Sequence, residues 1–444
     1  MNYRQSIDYL LSFADFERSG RFQHRPDVQP VLALLRRLGD PHLGRRTVHI
    51  AGSKGKGSVA AMLESILRAA KLRTGLFTSP HLHSYTERIR IDGEPIGEDE
   101  WARLTAVLRE AVQADDPPPD GRRLVTFDLL TALAFLAFRE RDLDCQVLEV
   151  GLGGRVDSTN VFEAKDVCAV TAIGREHTEL LGDTVAEIAA EKVGIVRTGA
   201  TAVIAPQRHA IAREVIRQAA ADVSCPIVDV AGSYSWRRIA HDLDGQAFRL
   251  NRPRGALSLR LPLLGRHQLE NAATAVACAD ALTRLRRGLP IPDTAIQHGL
   301  AHVSWPGRME ILRRKPLVVA DSAHSRDSAR RLRETLTDYF SCQSAFLIVG
   351  MSADKDVTGL AQELSPIARR VTAVRTGHPR AMPPQQVAAA FREAGAAAEA
   401  ENEVSKTLEK VLATAAGEEV ICLTGSLFVA AEGRAYLREI AATA

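Results

Sequence analysis

Short β-branched runs alternate along this chain with segments whose apolar residues recur every three to four positions. That alternation predicts a parallel α/β sheet. Residues 47–51 (TVHIA) read as a strand running into a glycine-rich turn. Beyond the turn, Val59, Met62, Leu63, Ile66 and Leu67 fall at i, i+3, i+4, i+7 and i+8, one face of a helix. Residues 74–78, 145–150 and 167–173 predict strands, and 129–138 and 184–193 predict helices. Residues 115–121 (DDPPPDG) predict a surface loop, since proline supplies no donor to a ladder or a helix. Between 237 and 260 the pattern turns irregular, as in a small antiparallel excursion. A second α/β run begins near Leu317, with strands at 317–320, 345–350, 371–374 and 420–425 and a Rossmann-like period. The alanine-rich stretch 394–400 reads as a helix end and loop. Residues 302–307 (HVSWPG) interrupt the helical pattern and divide the chain into 1–303 and 304–444.

At 444 residues the chain has room for two or three domains. Its 57 Lys+Arg against 54 Asp+Glu leave a formal charge of +3, which argues against a nucleic-acid binder or a polybasic membrane protein. The six cysteines are widely spaced and form no CxxC pair. That favours a reducing compartment over a disulfide framework or a structural zinc site. The N-terminal stretch carries Arg and Asp among its apolar residues, a poor secretory signal, and 129–138 is too short to span a bilayer. The expected protein is cytoplasmic and soluble.

The sharpest chemical signal is Gly52-Ser53-Lys54-Gly55-Lys56-Gly57-Ser58, between a predicted strand and a predicted helix. Glycines let backbone N–H groups approach phosphate oxygens, and a helix N-terminus adds a favourable dipole. Lys56 is placed to reach terminal phosphates, and the Ser58 hydroxyl to ligand Mg²⁺. The spacing is GxxGKGS, with an extra glycine relative to the Walker pattern. The expected fold is therefore α/β: an N-terminal P-loop ATPase domain with a mostly parallel sheet, plus a smaller C-terminal Rossmann-like α/β domain.

The loop is followed by an ordered series: TSPHLHSYTERIRIDGEPI (78–96), LEVGLGGRVDSTN (148–160), LGDTVAEIAAEKVGIV (181–196) and LLGRHQLENAATA (263–275). Then come WPGRMEIL (305–312), GMSADKD (350–356), HPRA (378–381) and TGSLF (424–428). This set resembles the folylpolyglutamate synthase/dihydrofolate synthase family of the Mur-ligase superfamily. The resemblance implies an ATP-dependent amide ligase that joins L-glutamate to dihydropteroate, or to the γ-carboxylate of a folate glutamate tail, through an acyl phosphate. It implies ATP and two Mg²⁺ ions, small-molecule partners only, no nucleic acid, no membrane, and a monomer.

Carried onto this sequence, the resemblance makes Lys56, His177, Lys192 and His324 catalytic. Gly52, Gly55, Lys56, Gly57, Ser58, Asn271, Arg308 and Asp321 would hold ATP. Ser58, Glu149, His177 and Lys192 would hold metal, Lys192 as its carbamate. Ser79, His81, Phe127, Asp157 and Ser426 would meet the other substrates, with Tyr85, Arg88, Lys355 and Arg380 as weaker contacts. Bland readings stand beside several of these. Phe127 reads equally as core, Lys192 by periodicity alone as a solvated lysine, His177 as a packed side chain, and Arg308 as an interdomain ion-pair partner. The chain departs from the family at five positions: Lys54 for Asn, Asp128 for Glu, Glu176 for Asp, and Ser322 and Ser325 for Gly and Asn. Those departures keep two alternatives open, a Mur-like ligase of a non-folate carboxylate and a non-catalytic nucleotide- or folate-binding paralogue.

Overall fold

A computed structural model describes residues 1–20, 27–113, 123–415, 417 and 419–443. The loop expected at 115–121 lies outside the described residues. The strands are β1 (Arg46–Ala51), β2 (Thr74–Phe77), β3 (Ile89–Ile91), β4 (Glu94–Pro95), β5 (Cys145–Glu149), β6 (Val167–Val170), β7 (Thr201–Ile204) and β8 (Ile227–Asp229). They form one sheet in the order β4-β3-β2-β5-β1-β6-β7-β8. From β2 to β8 every pairing is parallel, and only β3 runs against it, pairing antiparallel with both β2 and β4. The excursion is a three-stranded antiparallel sheet of β9 (Ser235–Asp242), β10 (Gly245–Arg252) and β11 (Gly255–Leu261).

The second large sheet contains β12 (Glu310–Arg314), β13 (Leu317–Ala320), β14 (Ala345–Val349), β15 (Ala368–Ala373), β16 (Ala398–Ala400) and β17 (Val420–Thr424). Its order is β12-β13-β17-β14-β15-β16, parallel except for β12. The chain is thus an α/β protein with two mostly parallel sheets. One expectation is corrected here: Ala398–Ala400 pairs with β15 as an edge strand rather than forming loop. The strand expected at 167–173 stops at Val170, because the next residues turn to receive the glycine-rich loop: Ser53 and Lys54 N–H both donate to the Ala172 carbonyl, each at 3.0 Å.

The helix Lys56–Ala69 is wrapped more completely than its pattern suggests. Val59, Met62, Leu63, Ile66 and Leu67 are buried, but so are Ala60, Ala61, Glu64 and Ser65 on the other faces. The helices Arg266–Arg284 and Asp293–Ala301 cover those faces. A Cβ on Gly299 would sit 2.5 Å from Ile66 Cα, so the crossing needs a glycine. The Ser65 hydroxyl locks it by donating to the Gly299 carbonyl at 2.7 Å. Among the described residues no helix is long and apolar enough to cross a membrane. All six cysteines are buried free thiols.

Under β1 lies a buried polar chain. Lys165 Nζ donates to His49 Nδ1 (2.8 Å), Asn160 Oδ1 (2.6 Å) and the Ile195 carbonyl (2.8 Å). His49 Nε2 meets the Thr159 hydroxyl at 2.8 Å, and that hydroxyl contacts Asp157 Oδ1. Because Nδ1 accepts from Lys165, Nε2 carries the proton, and the chain runs in one direction toward Asp157. Burial pulls the Lys165 ammonium down to about 7.

Two outcomes follow from this packing. Gly299→Ala should cost about 1–3 kcal/mol despite alanine's higher helix propensity, read as a lowered urea midpoint. An unchanged midpoint would mean that the helices separate freely. For Lys165, the unfolded side chain still binds its proton up to about pH 10.4 while the folded one has released it. Stability from this group therefore rises with pH between about 7 and 10. The stability of wild type minus that of Lys165→Met in chemical denaturation should rise over that window, and a constant difference would contradict the assignment.

Candidate active site

The loop after β1 adopts a conformation that its glycines permit. Gly55 (φ +91°) is the N-cap of the helix Lys56–Ala69, and a Cβ there would lie 2.5 Å from Asn271 Oδ1. A Cβ on Gly52 would collide with Thr171, and one on Gly57 would lie 2.8 Å from the Trp305 ring. Parallel-sheet topology brings the loop, the end of β5 and the turn after β6 to one carboxyl edge, where α/β proteins bind ligands. The turn after β13 faces them from the second sheet. Together they border a cavity of about 1230 Å³, larger than the usual site for one small molecule.

The cavity collects the sequence candidates from both halves of the chain. Gly55, Lys56, Gly57, Ser58, Asn271, Arg308 and Asp321 line it, as do Glu149, His177, Lys192 and His324. Ser79, His81, Phe127, Asp157 and Ser426 line it as well. Gly52 lies behind the wall, its carbonyl accepting from both Lys56 Nζ and Lys192 Nζ at 3.1 Å.

A charged cluster occupies the nucleotide side. Glu176 accepts from Lys192 at 3.0 Å and lies 3.4 Å from Lys54. Burial opposes its ionisation, but Lys192, Lys54 and Lys56 outweigh it and hold the carboxyl well below the usual range. Burial lowers Lys192 and Lys54, with Glu176 pulling both back up. Lys192 is therefore a buried ion-pair partner, not a solvated lysine. His177 sits in the left-handed region (φ 49°), and burial holds its imidazole down to about 4, a neutral ring with a lone pair to offer. Lys54 Nζ also meets His324 Nε2 at 3.2 Å, while His324 Nδ1–H donates to the Ser322 carbonyl at 2.9 Å.

Glu149, at the end of β5, is buried, and its Oε2 accepts from the Ser79 amide at 3.2 Å. Burial pushes its carboxyl up, and Lys56 pulls it down without forming an ion pair among the described residues. Ser58 is buried in the helix turn behind the loop. A buried carboxyl without an ion-pair partner among the described residues and a hydroxyl lining the same cavity are hard-oxygen donors of the kind that suit Mg²⁺. Among the described residues no three His, Cys, Asp or Glu side chains form a metal-ligating group.

On the other wall, Phe127 serves both readings. Its ring packs on Phe77 (centroids 5.8 Å) and under Gly151, yet it lines the cavity. Asp157 is held by the Leu152 and Thr159 amides at 2.9 and 3.0 Å. Asp128 accepts from the Ser158 hydroxyl at 2.6 Å, and burial raises it to about 6. His81 Nδ1 accepts from Arg88 Nε at 2.9 Å, and its ring packs against Tyr85 at a tilt of 46°, centroids 4.2 Å apart. Arg88 is engaged internally, its guanidinium also gripping Glu17 at 2.5 Å. Lys355 and Arg380 both pair with Asp354, at 2.8 and 3.0 Å.

The turn at 321–325 absorbs its unusual serines. Asp321 accepts from the Met309 and Ala323 amides at 2.9 Å each. Ser322 is buried with its hydroxyl unpartnered, at a backbone geometry that needs no glycine. Ser325 caps the helix Arg326–Phe340 through a capping box with Ser328. Sequence reading missed the cavity wall formed by Asp15 and Glu17 in the first twenty residues, and the His378–Phe428 stack at 4.0 Å. Neither has a local signal, since each is set by partners distant in sequence.

Comparison with known proteins matches the Mur ligase middle domain over residues 50–279 and the Mur ligase glutamate ligase domain over 307–427. A folylpolyglutamate synthase of Lacticaseibacillus casei is 32% identical, the match covering 98% of each chain. A probable bifunctional folylpolyglutamate synthase/dihydropteroate synthase of Haloferax volcanii is 35% identical over 98% of this chain, which spans only half the length of that relative. Among solved structures, the Mycobacterium tuberculosis folylpolyglutamate synthase complexed with ADP superposes with a TM-score of 0.88 at 31% identity, covering 97% of this chain and 99% of that one. With the loop, the facing turn and the two matched units in the same order, the chain belongs to the folylpolyglutamate synthase/dihydrofolate synthase family of Mur ligases.

Proposed function

We propose that the protein is an ATP- and Mg²⁺-dependent ligase that adds L-glutamate to dihydropteroate, to the γ-carboxylate of folate glutamate tails, or to both. The observation carrying this reading is that the phosphate loop and the Asp321–His324 turn open onto one cavity that also holds Phe127 and Asp157. Residues 1–303 form the ATP-binding unit and 304–444 the glutamate-ligase unit.

A carboxylate is a poor electrophile because oxide is a poor leaving group. Its oxygen attacks the terminal phosphorus of ATP, ADP departs, and the resulting acyl phosphate carries phosphate as its leaving group. The glutamate amine then attacks the acyl carbon, forming the amide and releasing phosphate. The loop amides and Lys56 hold the terminal phosphoryl while two anions are brought together. Arg308 and Asn271 flank the nucleotide, and Asp321 faces its ribose. Ser58 and Glu149 hold Mg²⁺, which neutralises phosphate charge when bound. A second ion would fall to His177 and Lys192, the latter only as its carbamate, since an ammonium cannot ligate. Phe127 and Asp157 meet the pterin, and Ser79, His81 and Ser426 position the remaining substrate groups. One chain supplies every one of these groups, and we read the protein as a cytoplasmic monomer.

Purified protein given ATP, Mg²⁺, L-glutamate and either dihydropteroate or tetrahydrofolate should release phosphate and add the mass of one glutamate residue. Lys56→Ala should lower kcat by about 100-fold or more. ADP release with other carboxylates but with neither pterin acceptor would overturn the substrate assignment.

A further inference from the structure

Both ring nitrogens of His324 are engaged within the protein. Nδ1–H donates to the Ser322 carbonyl at 2.9 Å, so Nε2 carries the lone pair, and that lone pair faces Lys54 Nζ at 3.2 Å. In this arrangement the imidazole has nothing left to offer a substrate. Lys54 does. Its ammonium has three protons, of which Glu176 Oε2 (3.4 Å) and His324 take two, and its side chain lines the cavity. Glu176 is shared with Lys192, at 3.0 Å, and lies farther from Lys54, at 3.4 Å, so the carboxylate is not devoted to Lys54 alone.

The sequence departures make sense together. Lys54 and Glu176 stand where the family pattern has Asn and Asp. The extra methylene of Glu176 lets one carboxylate reach both Lys192, on the helix Val185–Val193, and Lys54, in the phosphate loop. Removing Glu176 would leave the partly buried Lys54 without its counter-charge, whereas removing Lys54 leaves Glu176 still paired with Lys192.

We infer that Lys54 is a substrate-contacting cation, aimed by Glu176 and His324, that binds an anionic oxygen in the cleft between the two sheets. His324 is its positioning residue. The oxygen belongs either to the terminal phosphoryl of the nucleotide or to a carboxylate of the incoming amino acid. The inference rests on the ligase reading above.

The test uses the full-length protein with Mg²⁺. Calorimetry gives the affinities for ADP and for AMPPCP, a non-hydrolysable ATP analogue, and steady-state kinetics give kcat and the KM for glutamate. Contact with the phosphoryl predicts that Lys54→Met weakens AMPPCP by about 10- to 100-fold while sparing ADP. Contact with the amino acid predicts a similar rise in the glutamate KM with both nucleotides unaffected. In either case His324→Leu should move the same parameter, and His324→Gln, whose amide oxygen still accepts from Lys54, should largely restore it. If Lys54→Met fails to fold, the paired Lys54→Gln/Glu176→Gln variant carries the same measurements. AMPPCP affinity and glutamate KM both within twofold of wild type would overturn the inference. So would His324→Leu effects that persist undiminished in the Lys54→Met background. Wild type that binds nucleotide but turns over no pterin acceptor would count against the ligase reading instead, leaving the AMPPCP comparison to decide the role of Lys54.

Discussion

The structure depends on positive charge held where water is scarce. Lys54, Lys56 and Lys192 converge on the Gly52–Ser58 loop, and among the described residues Glu176 is the carboxylate that ion-pairs with two of them, Lys54 and Lys192. Partly desolvated ammonium groups are costly unless an anion joins them. The fold meets that cost by anchoring the loop rigidly. Two amides grip the Ala172 carbonyl, Gly52 packs against Thr171, and the Gly52 carbonyl accepts from two lysines. A loop so fixed cannot relax to neutralise itself, so it is left to attract phosphate. On the proposed reading Glu149 would be the place for a divalent cation: it is buried and without an ion-pair partner among the described residues.

Everything else brings reactants to that loop. The parallel pairing of β5, β1 and β6 places Glu149, the loop and Glu176 at one edge. The β13–β17 pairing presents Asp321 and Ser426 from the other sheet. The buried chain from Lys165 through His49 and Thr159 fixes the Asp157 carboxylate from behind. Reach and orientation are thus set by backbone topology, and the reacting side chains need few degrees of freedom.

How much of this was legible depended on distance along the chain. The strand–turn–helix around Lys56 was readable because its glycines, lysines and apolar spacing are local. The central strands were readable from their β-branched runs. The all-round burial of Lys56–Ala69 was not, because helices some two hundred residues downstream create it. Strand β16 was missed because AEA has no apolar alternation and pairs only by virtue of β15. Arg88, one of the weaker substrate-contact candidates, lines the cavity and is also held by Glu17, a partner 71 positions away that no local pattern announces. Ser325, which seemed a loss beside the family's Asn, is itself a competent helix cap.

The central claim is that the charge-lined loop hands the terminal phosphoryl of ATP to a carboxylate on a second molecule. Isotope transfer tests it most directly. A folate or pteroate acceptor labelled with oxygen-18 in the reacting carboxylate is turned over with ATP and glutamate, and the released phosphate is analysed by mass spectrometry. The account predicts one labelled oxygen in the phosphate for each amide formed. Amide formation with unlabelled phosphate would contradict it.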